Sequence, residues 1–367
     1  MSDGKLLMKP SVDAHIRAAA AQCTAYDDPR VDDAVAADLA LLVADITAAV
    51  PVRAIVLGGG FGRGEGSVLV DGGRVRPVND YDLILAVPDG FATDLRPLGK
   101  TLAARTGIRL IDLIPLPWSA WATLPPTQFN YDLKYGGRRL WGEDALAMIP
   151  AYPAGTVAPG SIRTLLLNRL ICALEAFTAE FARRAPTPEE AFFLVNQTGK
   201  VISACVEARL MQAGNYHHSY RRRQAIMAQE FPEERELLRL NERATAFKLR
   251  PTATVAGDPV QYWRDAVAVY GAICADLLLP RACELRSPAA LWAAAQAPDA
   301  VPVLANNRIE QLELLLLLCS SAPPAEQPAM LAVARLVFGR LAPLPAATAD
   351  WETLRAATVR LWHERCH

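Results

Sequence analysis

The chain has 367 residues, of which 52% are hydrophobic and 21% charged, and its formal charge is −1 at pH 7. This is an ordinary globular composition with room for two or three domains and a sizeable core. A charge so close to zero excludes a whole-molecule pull on a polyanion, so long nucleic acid is not an expected partner. Positions 32–49 are predicted to be a helix, because Val35, Leu39, Leu42, Val43 and Ile46 recur at helical spacing and Pro51 ends the run. A short apolar strand follows at 52–57 and runs directly into glycines. A hairpin is predicted at 67–78, turning at Asp71-Gly72-Gly73. Core strands are expected at 80–87 and 109–116, with a helix at 91–105 between them and a further strand at 133–141.

The stretch at 150–160, with Pro150, Pro153, Gly155, Pro159 and Gly160, reads as a linker. Beyond it strand signals nearly vanish. Helices are predicted at 161–183, 189–213, 222–247, 259–279, 287–296, 306–319, 327–341 and 350–364. The expected organisation is an α+β domain over 1–150, a mixed sheet with flanking helices. An all-α domain is expected over 151–367, in one lobe or two. None of the seven cysteines (Cys23, Cys172, Cys205, Cys274, Cys283, Cys319, Cys366) forms a C-x-x-C pair, and most have apolar neighbours. Buried reduced thiols are expected rather than a disulfide framework. The N-terminus has no apolar signal core, and the leucine run at 314–318 is far short of a membrane span. A soluble, cytoplasmic protein is the expectation.

The most informative segment is Gly58-Gly59-Gly60-Phe61-Gly62-Arg63-Gly64-Glu65-Gly66-Ser67, followed by Asn79-Asp80-Tyr81-Asp82-Leu83. A Walker-type loop needs Lys and then Ser or Thr, and this segment has no lysine. A dinucleotide fingerprint needs glycines at i, i+2 and i+5. Starting from Gly58, Gly60, Gly62 or Gly64, the last position is Arg63, Glu65, Ser67 or Leu69. The kinase loop shares that spacing and fails with it. What remains is a turn whose backbone N–H groups can approach phosphate oxygens, or simply a tight turn with a solvated Arg63–Glu65 pair.

Alternate strand residues share a face, so Asp80 and Asp82 point the same way. Two adjacent carboxylates repel and call for a compensating cation such as Mg²⁺. Asp112 stands in Leu110-Ile111-Asp112-Leu113-Ile114, a strand apolar enough to be buried on both faces. A lone ionised acid there is costly, and meeting Asp80 and Asp82 around metal would remove the cost. Taken alone, Asp-x-Asp also fits a solvated strand end, and Asp112 a buried acid paired with arginine.

In this order, the glycine turn, the Asp-x-Asp and the third strand acid resemble the DNA polymerase β-like nucleotidyltransferase superfamily. The wording Gly59-Gly60-Phe61-Gly62-Arg63-Gly64-Glu65 is most similar to that of protein-modifying uridylyltransferases and their relatives. Tyr131-Asp132-Leu133-Lys134-Tyr135-Gly136-Gly137, with Leu140-Trp141-Gly142, resembles a segment common in small bacterial members. The likeness covers roughly 35–145. The family spacer is about a dozen residues, whereas Asp80 lies 20 after Gly60 (80 − 60). The hairpin at 67–78 is the segment that could absorb the excess.

The resemblance implies a nucleotidyltransferase fold and two Mg²⁺ ions on Asp80 and Asp82, with Asp112 on the catalytic one. Gly59, Gly60 and Arg63 would hold the β- and γ-phosphates of a nucleoside triphosphate, with ATP as the default donor. The acceptor would be a hydroxyl of a small molecule or protein, with pyrophosphate released. Family members often add a helical domain that closes over the nucleotide and supplies a lysine. Here Lys200 is the candidate lysine, with Ser219 and Tyr220 as further triphosphate contacts and the arginines at 221–223 facing the acceptor. Lys200 equally fits a surface lysine, and the arginines a solvated helix start. His217–His218 and the terminal His363, Cys366 and His367 fit side chains without metal better than ligand sets. The alternative from another class is a non-catalytic nucleotide sensor or toxin–antitoxin-type partner that keeps the fold.

Overall fold

The computed structural model describes residues 12–278 and 308–366, apart from 109, 322, 323, 326 and 347. The expected helix at 287–296, Cys283, Trp292 and His367 lie outside the described residues. The chain is α+β, with every described strand in its first 142 residues and helices thereafter. It divides into two compact units, and the division is not a single cut. The first unit takes the chain up to Ala158 and also His217–Arg222 and Ala246–Thr252. The second comprises Pro159–Tyr216, Arg223–Thr245 and Ala253–His367.

In the first unit, the helix Pro29–Ala49 starts on a proline at its first position, with the Asp28 side chain accepting from the Arg30 N–H. Its Val31, Val35, Leu39, Leu42, Val43 and Ile46 are buried. They join Ile55, Leu57, Leu83, Leu85 and Val87 in one apolar cluster. Six strands accompany it: β1 (Ala54–Leu57), β2 (Val68–Asp71), β3 (Arg74–Pro77), β4 (Tyr81–Val87), β5 (Ile111–Pro117) and β6 (Arg138–Gly142). Four form a mixed sheet in the order β5-β4-β1-β6, with β4 and β5 parallel and the other pairs antiparallel. All of β1 and five consecutive residues of β4 are buried, so both faces of the sheet centre are covered.

The expected hairpin is β2–β3, a separate two-stranded ribbon closed by the Val78 N–H donating to the Ser67 carbonyl at 2.9 Å. It therefore returns the chain to its starting point, absorbing the long spacer between the glycine turn and the acids. The strand expected at 133–141 is corrected. The helix Gln128–Gly136 takes its first four residues, and only β6 is strand. The Thr127 side chain accepts from the Asn130 N–H and starts that helix. The alternation of Tyr131, Leu133 and Tyr135 mimics a strand, but a capped turn decides the outcome.

In the second unit, the helix Gly160–Ala176 packs on Pro188–Ala213, and the latter opens on a capping box of Thr187 and Glu190. Trp263, on the helix Pro259–Leu278, donates to the Ala173 carbonyl at 2.8 Å and stacks on Phe177. Helices Arg308–Ser321, Gln327–Gly339 and Trp351–Cys366 complete the described part. The single helix expected at 222–247 is two, Tyr220–Glu230 and Arg235–Leu249, separated at Pro232, where a helix interior cannot continue. The helix expected at 161–183 ends at Ala176 and resumes as a short 3₁₀ turn, Ala179–Ala182. Among the described residues no helix is long and apolar enough to cross a membrane. Cys23, Cys172, Cys205, Cys274 and Cys319 are buried free thiols.

Candidate metal centre

Parallel pairing of β4 with β5 sets Asp82 directly opposite Asp112. Asp80 precedes β4 by one residue and shares the Asp82 face by alternation. The three carboxylates thus meet, each half-buried, with ligating oxygens all within 4.8 Å of one another. This is the only group of three or more His, Cys, Asp or Glu side chains among the described residues so placed. Burial pushes the Asp82 carboxyl up to about 7, and the negative charges of Asp80 and Asp112 push it the same way. Arg63 and Lys248 oppose that rise. Three hard oxygen donors that repel one another are a donor set suited to a divalent cation, Mg²⁺ among them.

The glycine turn lies directly against this cluster. Leu57 pairs with Leu83, and the next amide, that of Gly58, donates to the Asp82 carbonyl at 2.8 Å. Gly59–Gly62 then makes one helical turn. Gly59 has φ +56°, and a Cβ there would lie 1.7 Å from Oδ2 of Asp82. Only glycine allows the backbone to approach that carboxylate. At Gly62 a Cβ would lie 2.4 Å from the Leu57 carbonyl oxygen, so the turn also packs back on β1.

Arg63 ends the turn and forms a buried ion pair with Asp132, Nη1 to Oδ2 at 2.7 Å, the two side chains 9% and 8% exposed. Gln128 donates to the same carboxylate oxygen at 3.0 Å. The other guanidinium nitrogen donates to the Tyr220 hydroxyl at 3.3 Å, and the guanidinium carbon lies 5.0 Å from the Tyr220 ring centroid. Lys248 approaches from the Ala246–Thr252 segment. Its Nζ lies 3.7 Å from where a Cβ on Gly60 would stand and 5.6 Å from the Tyr220 ring centroid. Its carbonyl accepts from the Ser67 hydroxyl, which ties that segment to the end of the glycine turn.

The structure brings Asp80, Asp82, Asp112, Gly59, Gly60, Arg63, Ser219 and Tyr220 into one unit. Ser219 and Tyr220 do not belong with the helical part, where the sequence placed them. The Ser219 hydroxyl and the Tyr220 backbone N–H are also already engaged. The Ser219 hydroxyl and the Tyr220 N–H donate to the buried Glu65 carboxylate at 2.8 and 2.7 Å. Lys200 lies in the second unit, half-buried on the helix Pro188–Ala213, so the lysine assembled with the acids is Lys248.

Sequence reasoning missed Lys248, Glu65 and the Asp132 partner of Arg63. Lys248 carries one faint signal, a rare lysine in Phe247-Lys248-Leu249-Arg250-Pro251 at a helix end. His217 and His218 stack on each other with ring centroids 4.3 Å apart, and His363 pairs with Glu175 at 3.3 Å. Compared with known proteins, the chain matches no family model, no curated protein and no solved structure at a significant level.

Proposed function

We propose that the protein is a metal-dependent nucleotidyltransferase of the DNA polymerase β-like kind, moving a nucleoside monophosphate from a nucleoside triphosphate to an acceptor hydroxyl. The observation that carries this reading is the meeting of Asp80, Asp82 and Asp112 within 4.8 Å against a glycine turn. Three carboxylates there would hold two Mg²⁺ ions. When bound, such ions lower the pKa of an attacking hydroxyl and offset charge at the α-phosphate. The chain's own groups account for the rest. Arg63 and Lys248, the cations drawn to the cluster, would hold the β- and γ-phosphates together with the backbone of Gly59 and Gly60. The acceptor hydroxyl gives up its proton to solvent and its oxygen bonds the α-phosphorus as the bond from that phosphorus to the α–β bridging oxygen breaks, and pyrophosphate leaves with that electron pair.

ATP is the default donor, and the acceptor is a small molecule or a protein side chain rather than long nucleic acid, in keeping with the near-zero charge. The test is transfer from α-labelled nucleoside triphosphates with Mg²⁺ into a lysate acceptor pool. Label and pyrophosphate are expected with the wild type and not with Asp82→Ala. Equal labelling by both would overturn catalysis at this site. Stabilisation by Mg²⁺–ATP without transfer would favour a nucleotide sensor instead.

A further inference from the structure

Glu65 is a buried carboxylate, 4% exposed, that takes no part in the acid cluster. Its backbone closes the glycine turn, the Glu65 N–H donating to the Gly60 carbonyl at 2.9 Å. Its side chain accepts three bonds from the first turn of the helix Tyr220–Glu230 and the residue before it. The donors are the Ser219 hydroxyl at 2.8 Å, the Tyr220 N–H at 2.7 Å and the Arg221 N–H at 3.2 Å. A carboxylate at a helix N-terminus is favourably placed, since the first amides have no partner inside the helix. These three bonds hold Tyr220 where its hydroxyl meets Arg63 and its ring lies within 6 Å of both Arg63 and Lys248. Those are the cations that act on Asp82. One residue therefore joins the glycine turn, through its backbone at Gly60, to the aromatic ring that both cations share, through its side chain.

We infer that Glu65 is a positioning residue: its carboxylate latches Ser219–Arg221 to the glycine turn, fixing Tyr220 so that Arg63 and Lys248 form one polyphosphate subsite beside the three acids. This rests on the proposed nucleotidyl chemistry for its ligand class, but the latch is a property of this chain's own residues. Glutamine at 65 keeps the size and one acceptor oxygen. It replaces the other oxygen with an NH₂ group that faces an N–H or O–H donor, so at least one of the three bonds is lost.

The test measures binding of inorganic tripolyphosphate with Mg²⁺ by calorimetry for the full chain, Glu65→Gln, Tyr220→Phe and the double variant. Mn²⁺ affinity without phosphate is measured alongside. Each single variant is expected to weaken tripolyphosphate binding about tenfold, and the double variant no more than the worse single, because both changes break one linkage. Mn²⁺ affinity should stay within about twofold, and Glu65→Asp should recover part of the loss. Amide exchange at Tyr220 and Arg221 should accelerate at least tenfold in Glu65→Gln, with other helices unchanged. Unaltered tripolyphosphate affinity in Glu65→Gln, or multiplying losses in the double variant, would overturn the inference. A wild type that binds Mn²⁺ but no tripolyphosphate would defeat the phosphate chemistry instead. In that case unchanged exchange at Tyr220 and Arg221 in Glu65→Gln would defeat the latch as well.

Discussion

Asp82, half-buried, and Glu313, fully buried, are both carboxylates pushed up by desolvation, Asp82 to about 7 and Glu313 to about 8. Their surroundings differ in kind. Asp82 faces two further acids and is drawn the other way by Arg63 and Lys248. Glu313 sits fully buried in the leucine-rich helix Arg308–Ser321, where Glu310 adds a lesser push and neither oxygen has a hydrogen-bond partner among the described residues. A raised carboxyl therefore marks burial, and only the company of other charges marks a site.

Substitution separates the two cases most sharply at Asp82. Asp82→Asn should lower kcat/KM for nucleotidyl transfer at least ~10³-fold, about 4 kcal/mol of transition-state stabilisation. The metal-free melting temperature should hold or rise, because a repelled buried charge is gone. Retained activity at an equal or higher melting temperature would place Asp82 with Glu313, as a merely desolvated acid.

The cation side comes next. Arg63→Met removes the cation paired with Asp132, which is 8% exposed, and should cost about 3 kcal/mol in denaturant unfolding. Arg63→Met/Asp132→Leu should recover much of that stability but not the affinity for tripolyphosphate. Equal recovery of both would show that Arg63 serves the fold alone.

Gly59→Ala tests how closely the turn approaches the acids. A Cβ 1.7 Å from the Asp82 carboxylate, on a backbone with φ +56°, should cost about 2 kcal/mol and weaken Mn²⁺ binding. Gly72→Ala, also at positive φ but with open space around it, should lose stability without touching Mn²⁺ affinity. Equal Mn²⁺ binding by the two variants would deny the special placement of Gly59.

Glu313→Met gives the smallest effect, and it depends on pH. The folded carboxyl keeps its proton to about pH 8, whereas an unfolded one releases it near 4.5. Folding thus takes up a proton in that window, and stability falls as pH rises through it. Removing the carboxyl should raise stability at pH 8, and the gain should fade as pH falls towards 5. A variant equally stabilised at both pH values would show that packing, not ionisation, is being read.

The three acids and the glycine turn were legible because local rules place them. Strand alternation puts Asp80 and Asp82 on one face, and an acid amid the apolar run around Asp112 is conspicuous. The hairpin's glycine turn was legible for the same local reason. Lys248 and Glu65 were not, since their roles arise from chain segments that meet only in three dimensions. Lys200 looked the better lysine because its helix is apolar, a cue about local packing rather than about which unit it joins. The segment 133–141 read as one strand, while the Thr127 cap that decides for helix over its first residues is a single-residue signal.

The discontinuity of the first unit has a consequence for synthesis. A nascent chain that has reached Ala158 already carries all three acids and Arg63, but neither Tyr220 nor Lys248. On the ribosome the acidic cluster therefore precedes the end of the last cationic segment by almost a hundred residues (252 − 158 = 94). A fragment cut at the end of the sheet would hold the acids without their later counterweight, and the smallest piece that carries the whole first unit runs through Thr252.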